Sequence, residues 1–86
     1  MLLYPAILYP PDATGLSGCL VPDLLVNASG VSPDAAIEDA AEIMAEHLRD
    51  LAARGEPFPE PTPVAELDLD GGILVMLPAH LPRAAA

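Results

Sequence analysis

The sequence has no lysine, and its 86 residues include only three arginines, which stand against thirteen acidic residues. The formal net charge is therefore −10. A chain with so few cations repels the phosphate backbones of nucleic acids, so direct nucleic-acid binding is not expected. By charge, the natural partner is a basic protein. The equal alternative is acidity that serves solubility alone.

Cysteine is almost as scarce, since Cys19 is the only one in the sequence. A single cysteine excludes an intrachain disulfide and a cysteine-rich metal site, and it suits a reducing cytoplasm, where we expect the protein to reside. Long apolar runs are also missing. The N-terminal MLLYPAILYPP is broken by prolines, and GILVMLPAHL is too short to cross a bilayer, so we expect neither a signal peptide nor a membrane segment.

What remains is the composition of a small folded domain. The chain is 52% hydrophobic, which is far richer in apolar residues than an acidic disordered segment. Its length predicts one domain over residues 1–86, with little room for an enclosed active site.

Three short apolar runs open the chain, and each is closed by turn residues. They predict strands at about 4–9, 16–21 and 24–28. The few residues between the first two runs favour an antiparallel hairpin.

A long helix follows the third run. Ser32 suits the N-cap, Pro33 the first helical position and Gly55 the residue after the end, so the helix is predicted over about 33–54. Its apolar residues recur every three or four positions, as one core-facing stripe requires. The stripe is Ile37, Ala40, Ala41, Met44, Leu48 and Leu51.

Beyond the helix, residues 56–63 hold four prolines, which predicts an extended connector. A turn at Gly71–Gly72 precedes a run at 73–77 that is apolar at every position, with Val75 at its centre. Such a run indicates a strand buried on both faces, typically a central or parallel one. A single crossover helix would place it parallel to the first strand. The predicted fold is therefore α+β, in the order β-β-β-α-β, with the second sheet face covered by another copy or a partner.

Four segments in this order resemble the HicB family of antitoxins: YPAIL at 4–8, VPDL at 21–24, the helix SPDAAIEDAAEIMAEHLRDLAARG, and GEPFPEPTPV at 55–64. The resemblance implies a partial ribonuclease-H-like fold with the fourth strand beside the first. It also implies a small basic HicA-like toxin that cleaves mRNA as the partner, and self-association into homodimers or larger assemblies. Leu25-Val26 replace the Pro-Gly usual after the PDL corner. Many members also carry a C-terminal DNA-binding segment, and this sequence is expected either to be similar to the short members or to lack that part, so autorepression is not carried over.

Catalysis is not expected, although a ribonuclease-H-like fold raises the question. A two-metal nuclease needs clustered carboxylates, and YPAIL and ILVML contain no acid. Cys19, His47 and His80 lack the flanking motif of a nucleophilic pair and are too few and scattered for zinc. The sequence predicts no catalytic residue, no metal and no cofactor.

The acids of the helix are the remaining feature. Asp34, Glu38, Glu42, Glu46 and Asp50 fall every four residues, and we call them the acidic ridge. Four like-charged pairs cost an isolated helix about 1 kcal/mol. A solvated outer face usually interleaves cations, so their omission favours an electrostatic role.

These observations lead to one hypothesis and one alternative. The hypothesis is an antitoxin that occludes the RNA site of a basic toxin, with partner contacts at Asp23, Leu24, Glu38, Glu42 and Glu46. The alternative is an orphan oligomerisation or regulatory module with no toxin. A small hydrolase is a third reading. An adjacent gene for a basic protein would favour the first.

Overall fold

The structure, a computed structural model, describes residues 2–79. Its elements follow the predicted order β-β-β-α-β, which is confirmed over these residues. The strands are β1 (Leu3–Tyr9), β2 (Ser17–Val21), β3 (Val26–Gly30) and β4 (Ile73–Pro78), and the helix is α1 (Pro33–Ala53). Short 3-10 turns lie at Pro22–Leu24 and Val64–Glu66. His80 lies outside the described residues.

All strand pairs of the described sheet are antiparallel, in the order β3-β2-β1-β4. The fourth strand lies beside the first, as expected. The predicted parallel direction was wrong, because β4 runs antiparallel to β1, with Leu77 opposite Tyr4 and Ile73 opposite Leu8.

The reason is that the crossover makes two passes along the sheet instead of one. α1 runs back along β3, and the proline-rich connector then runs forward again. The connector is fixed on its way at Pro59, whose carbonyl accepts a hydrogen bond from the Tyr4 hydroxyl at 2.6 Å. Since helix and connector together bring the chain back to the end where α1 began, the next strand must run opposite to β1. The prediction of a parallel β4 took account of the helix but not of the return of the connector.

β4 is also an edge strand, so the prediction that it is buried on both faces was wrong. Ile73 is 56% exposed and Met76 40% exposed. A continuous apolar run is typical of a central strand, but the pattern reports only which residues are apolar. Position in the sheet is decided by the connection, which is not local.

The third strand begins two residues later than predicted. Leu24 belongs to the 3-10 turn, and Leu25 has a left-handed backbone, with φ of 54°. Its amide donates to the Pro22 carbonyl at 3.2 Å, which closes the turn. We call Pro22–Leu25 the corner. β3 starts only at Val26, after this reversal.

Both ends of α1 are capped by the residues noted in the sequence. The Ser32 hydroxyl accepts from the Ala35 amide at 3.1 Å, and Pro33 occupies the first turn. At the other end, Gly55 has φ of 69°. The amide of Gly55 donates to Ala52 at 3.1 Å, and that of Glu56 donates to Leu51 at 2.9 Å. These two bonds form a Schellman motif, which satisfies carbonyls that a helix end otherwise leaves unpaired.

The core lies between α1 and one face of the sheet. The helix buries Ala36, Ala40, Met44 and Leu48, a stripe with a spacing of four residues. Ala40, Met44 and Leu48 belong to the predicted stripe. Ile37, Leu51 and Val75 are partly buried and pack against the core, and Ala41 is half-buried. The small residues Ala36 and Ala40 allow α1 to approach the sheet closely. At Gly30, a Cβ atom would lie 2.6 Å from the Ala36 amide nitrogen.

Among residues 2–79, no helix combines the length and apolarity that crossing a bilayer requires.

Candidate protein-binding surface

The acidic ridge lies on the face of α1 that points away from the sheet. Glu38, Glu42 and Glu46 are exposed, because they stand on the opposite side of the helix from the stripe that enters the core. Three of the residues predicted to contact a partner are thus brought together on one continuous surface. From Asp34 to Asp50 the ridge is about 24 Å long, at 1.5 Å per residue.

Cations neutralise little of this surface. Within the described part of the chain, the ion pair formed is between Asp50 and Arg54, at 2.9 Å, and both side chains are more than half exposed. Exposed pairs of this kind contribute little to stability. Arg49 shares the outer face, yet it makes no ion pair with the neighbouring glutamates. The ridge is therefore negative along its length, and its charge is partly offset only at the Asp50 end.

Asp23 of the corner has a different setting from the ridge. Its carboxylate accepts from the Thr62 amide at 3.0 Å and from the Thr62 hydroxyl at 2.5 Å. These bonds join positions 39 residues apart and fasten the connector to the corner. The pKa of the Tyr4 hydroxyl is raised, first by the burial of Tyr4 and second by the negative charge of Asp23. Asp23 therefore holds the fold together at this point.

Leu24 is 3% exposed and belongs to the core cluster. In this fold its side chain offers almost no surface to a partner. Leu25, the next residue, is 90% exposed. The strand predicted over about 24–28 includes Leu25, and nothing in that pattern indicates an exposed side chain. The one sequence signal for this exposed residue is that Leu25-Val26 replace the Pro-Gly usual in the family. The replacement indicates an unusual corner but does not predict its backbone conformation.

The sheet face that α1 does not cover is apolar, and we call it the open face. Side chains alternate along each strand, and those opposite to the core-facing ones are Leu3, Pro5, Ile7, Leu20, Leu74 and Met76. Pro5 and Ile7 are buried in the middle of this face. Leu3 and Met76 remain exposed. This surface was expected to meet a second copy or a partner, which stays a prediction.

The described residues bring no catalytic constellation together. No group of three or more His, Cys, Asp or Glu residues is placed to hold a metal within residues 2–79. Cys19 is buried, and this burial raises the pKa of its thiol. A reactive cysteine needs the opposite, a lowered pKa and access. His47 is exposed on α1 and has no thiol near it in the sequence or in its own turn.

Comparison with known proteins identifies the fold. No family model matches the chain, and no curated protein matches its sequence. Two solved structures share the fold of this chain. The N-terminal domain of the antitoxin HicB from Burkholderia pseudomallei matches with a TM-score of 0.79 and 23% identity, over 93% of this chain and 100% of that one.

The full-length HicB antitoxin of the same organism matches with a TM-score of 0.77 and 22% identity, over 99% of this chain. The match spans 65% of that longer protein. The HicB-like fold predicted from the sequence is thereby confirmed.

Proposed function

We propose that this protein is the non-catalytic antitoxin of a toxin-antitoxin pair. It binds a small basic HicA-like toxin that cleaves mRNA and covers the toxin's RNA-binding site. The observation that carries the proposal is an exposed acidic ridge, almost free of neutralising cations, on a fold shared with HicB antitoxin domains.

The ridge is complementary to a partner that binds RNA. Such a toxin requires a basic surface for the phosphate backbone. Carboxylates at successive turns of one helix present a row of negative charges to the same surface. Charge complementarity of this kind accelerates encounter and excludes wrong partners, while buried contacts govern the dissociation rate.

The ridge also reduces the stability of its own helix. Glu38, Glu42 and Glu46 form like-charged i,i+4 pairs, which destabilise a helix by a few tenths of a kcal/mol each. A solvated face gains nothing from this arrangement, because lysine at Glu42 would keep the polarity and remove the repulsion. A feature that lowers stability and persists on an exposed face supports a binding role.

The test is co-expression with the basic protein encoded beside this gene. If the proposal holds, that protein alone arrests growth, and co-expression restores growth and yields a complex that co-purifies at moderate salt. Arrest without rescue or co-purification would contradict the proposal. A neighbouring gene that encodes no basic protein would favour the orphan module instead.

A charge-matched pair of variants assigns the effect to the ridge. Glu38→Lys/Glu42→Lys/Glu46→Lys reverses three exposed ridge charges. The control, Glu56→Lys/Glu60→Lys/Glu66→Lys, reverses three exposed charges of the connector region, so both variants have the same net charge. We expect rescue to fail or weaken for the ridge variant and to persist for the control. If both variants lose rescue equally, the effect is due to net charge alone and not to the ridge.

A further inference from the structure

Leu25 has the most exposed large apolar side chain among residues 2–79. It is 90% exposed, whereas Leu24 before it and Val26 after it are each 3% exposed. A single exposed leucine is ordinary on the surface of a soluble protein. Leu25 differs because its backbone also has an unfavourable conformation.

The left-handed backbone of Leu25 costs the folded protein free energy. Its φ of 54° and ψ of 33° lie in the region where an L side chain crowds the backbone, so glycine or asparagine is usual there. Among residues 2–79, the other residues with positive φ are Asp70 and three glycines. Leucine at position 25 therefore combines backbone strain with an exposed apolar side chain, and neither effect stabilises the fold. Strain of this kind is concentrated at functional sites.

The corner holds this side chain in a fixed place. The Leu25 amide donates to the Pro22 carbonyl at 3.2 Å, and Leu24 anchors the corner in the core. Thr62 donates two hydrogen bonds to Asp23, which fasten the corner to the connector. Little backbone freedom is therefore left to lose when a partner covers Leu25. A contact that is ordered in advance contributes more to affinity, because binding has less ordering to do.

The acidic ridge alone does not explain a long-lived complex. Its glutamates are charged and exposed, and charges of this kind mainly accelerate encounter. Slow dissociation requires contacts that exclude water, usually at a few residues that fill pockets on the partner. A partner that the ridge attracts therefore needs an apolar contact elsewhere on the chain.

The charges beside the corner favour Leu25 as that contact. α1 runs back along β3, so the Asp50 end of the ridge and the corner lie at the same end of the molecule. There the charge of Asp50 is offset by Arg54, so a partner can cover this end without burying an unpaired charge.

Val31 is the next most exposed apolar residue of the described chain, at 82%. It lies at the opposite end of β3, beside the first turn of α1. Its backbone has no positive φ, and the nearby Asp34 forms no ion pair within residues 2–79. Exposure of Val31 is therefore accompanied neither by backbone strain nor by a neutralised acid.

We propose that Leu25 is the apolar anchor of the complex with the basic partner. Its side chain enters an apolar pocket on that partner and slows dissociation. The inference rests on the proposed function, since it names a contact that holds the same toxin. The ridge governs the association rate, and Leu25 governs the dissociation rate. Kinetic measurements can therefore separate the two contributions.

The test compares polar and apolar substitutions at Leu25, with the purified basic protein encoded beside this gene as the probe. Leu25→Asn tolerates the left-handed backbone but removes the apolar side chain. It should raise the urea midpoint of unfolding, leave the association rate unchanged, and accelerate dissociation about tenfold or more. Leu25→Met keeps an apolar side chain and should dissociate at nearly the wild-type rate. Val31→Asn is the matched control, for which we expect both rates to be unchanged.

The outcomes distinguish this inference from the proposed function. If the wild type forms no complex with the basic protein, the proposed function fails, and the anchor fails with it. If the wild type binds and Leu25→Asn dissociates no faster, the antitoxin role stands and the anchor alone is overturned. Equal acceleration by Val31→Asn would also overturn it, because loss of any exposed apolar side chain would then suffice. So would a lower urea midpoint for Leu25→Asn, which would show that Leu25 supports the fold.

Discussion

At the scale of single residues, long-range hydrogen bonds hold the connector against the sheet. Tyr4 binds the connector at Pro59, and Asp23 binds it at Thr62. The four prolines of the connector cannot donate backbone hydrogen bonds, so side chains from the sheet and the corner supply the attachment. These contacts determine where the chain enters β4.

Tyr4→Phe should destabilise the protein by about 1 kcal/mol, since it removes one hydrogen bond and leaves the Pro59 carbonyl without this donor. The cost is measured by urea unfolding at pH 8. A variant as stable as the wild type would show that the bond contributes nothing to folding.

The same substitution should change the response to alkaline pH. Burial, and secondly the charge of Asp23, raises the pKa of Tyr4 above 10.0. The unfolded chain therefore loses this proton first, and stability falls as pH rises above about 10. Burial also raises the pKa of Cys19, but that effect is common to both proteins. Between pH 8 and 11, Tyr4→Phe should lose less stability than the wild type; equal losses would contradict the assignment.

Asp23→Ala separates a structural role from partner contact. Loss of both bonds to Thr62 should cost about 1–3 kcal/mol of stability, because two donors lose a charged acceptor. The association rate with a basic partner should change little at a temperature where the variant is folded. A large fall in that rate without a loss of stability would show that Asp23 contacts the partner, as the sequence first suggested.

At the scale of elements, α1 combines a core stripe with a surface that works against its own stability. Ala36, Ala40, Met44 and Leu48 secure the helix on the sheet. The helix can hold the charge repulsion within the ridge because packing against the sheet, more than intrinsic helix propensity, stabilises it. The ridge can therefore be altered without touching the core.

Glu42→Lys should make the protein more stable and slower to bind. The substitution converts two repulsive i,i+4 pairs, with Glu38 and with Glu46, into attractive ones, a gain of about 1 kcal/mol in total. Chemical unfolding measures the gain, and stopped-flow mixing with the basic partner measures the rate. Glu60→Lys, with the same change in charge, is the control. Faster or unchanged binding by Glu42→Lys would count against an electrostatic role for the ridge.

The elements also show what the sequence can and cannot predict. α1 is predictable because Ser32, Pro33 and Gly55 act on neighbours within a few residues. The direction of β4 is not, because it depends on how the connector returns. That path is fixed by Asp23 and Thr62, which lie 39 residues apart and carry no local signal of their pairing. Leu24 was predicted at the binding surface for a similar reason: apolarity at a turn does not distinguish a buried side chain from an exposed one.

At the scale of the whole molecule, charge and apolar surface are separated. The ridge lies on the outer face of α1, whereas the uncharged edge of β4 lies at the other side of the sheet. We therefore expect that substitutions in the ridge leave the edge of β4 unchanged, and that substitutions at β4 leave the ridge unchanged.

The association rate between the purified protein and the basic toxin tests the central claim most directly. It is measured by stopped-flow at low and physiological ionic strength, for the wild type, the triple ridge reversal and the triple connector reversal. The account predicts that the wild type and the connector variant bind rapidly and slow as salt rises, and that the ridge variant binds at least about tenfold more slowly with a weaker salt dependence. Identical rates and salt dependences for the two variants would contradict it.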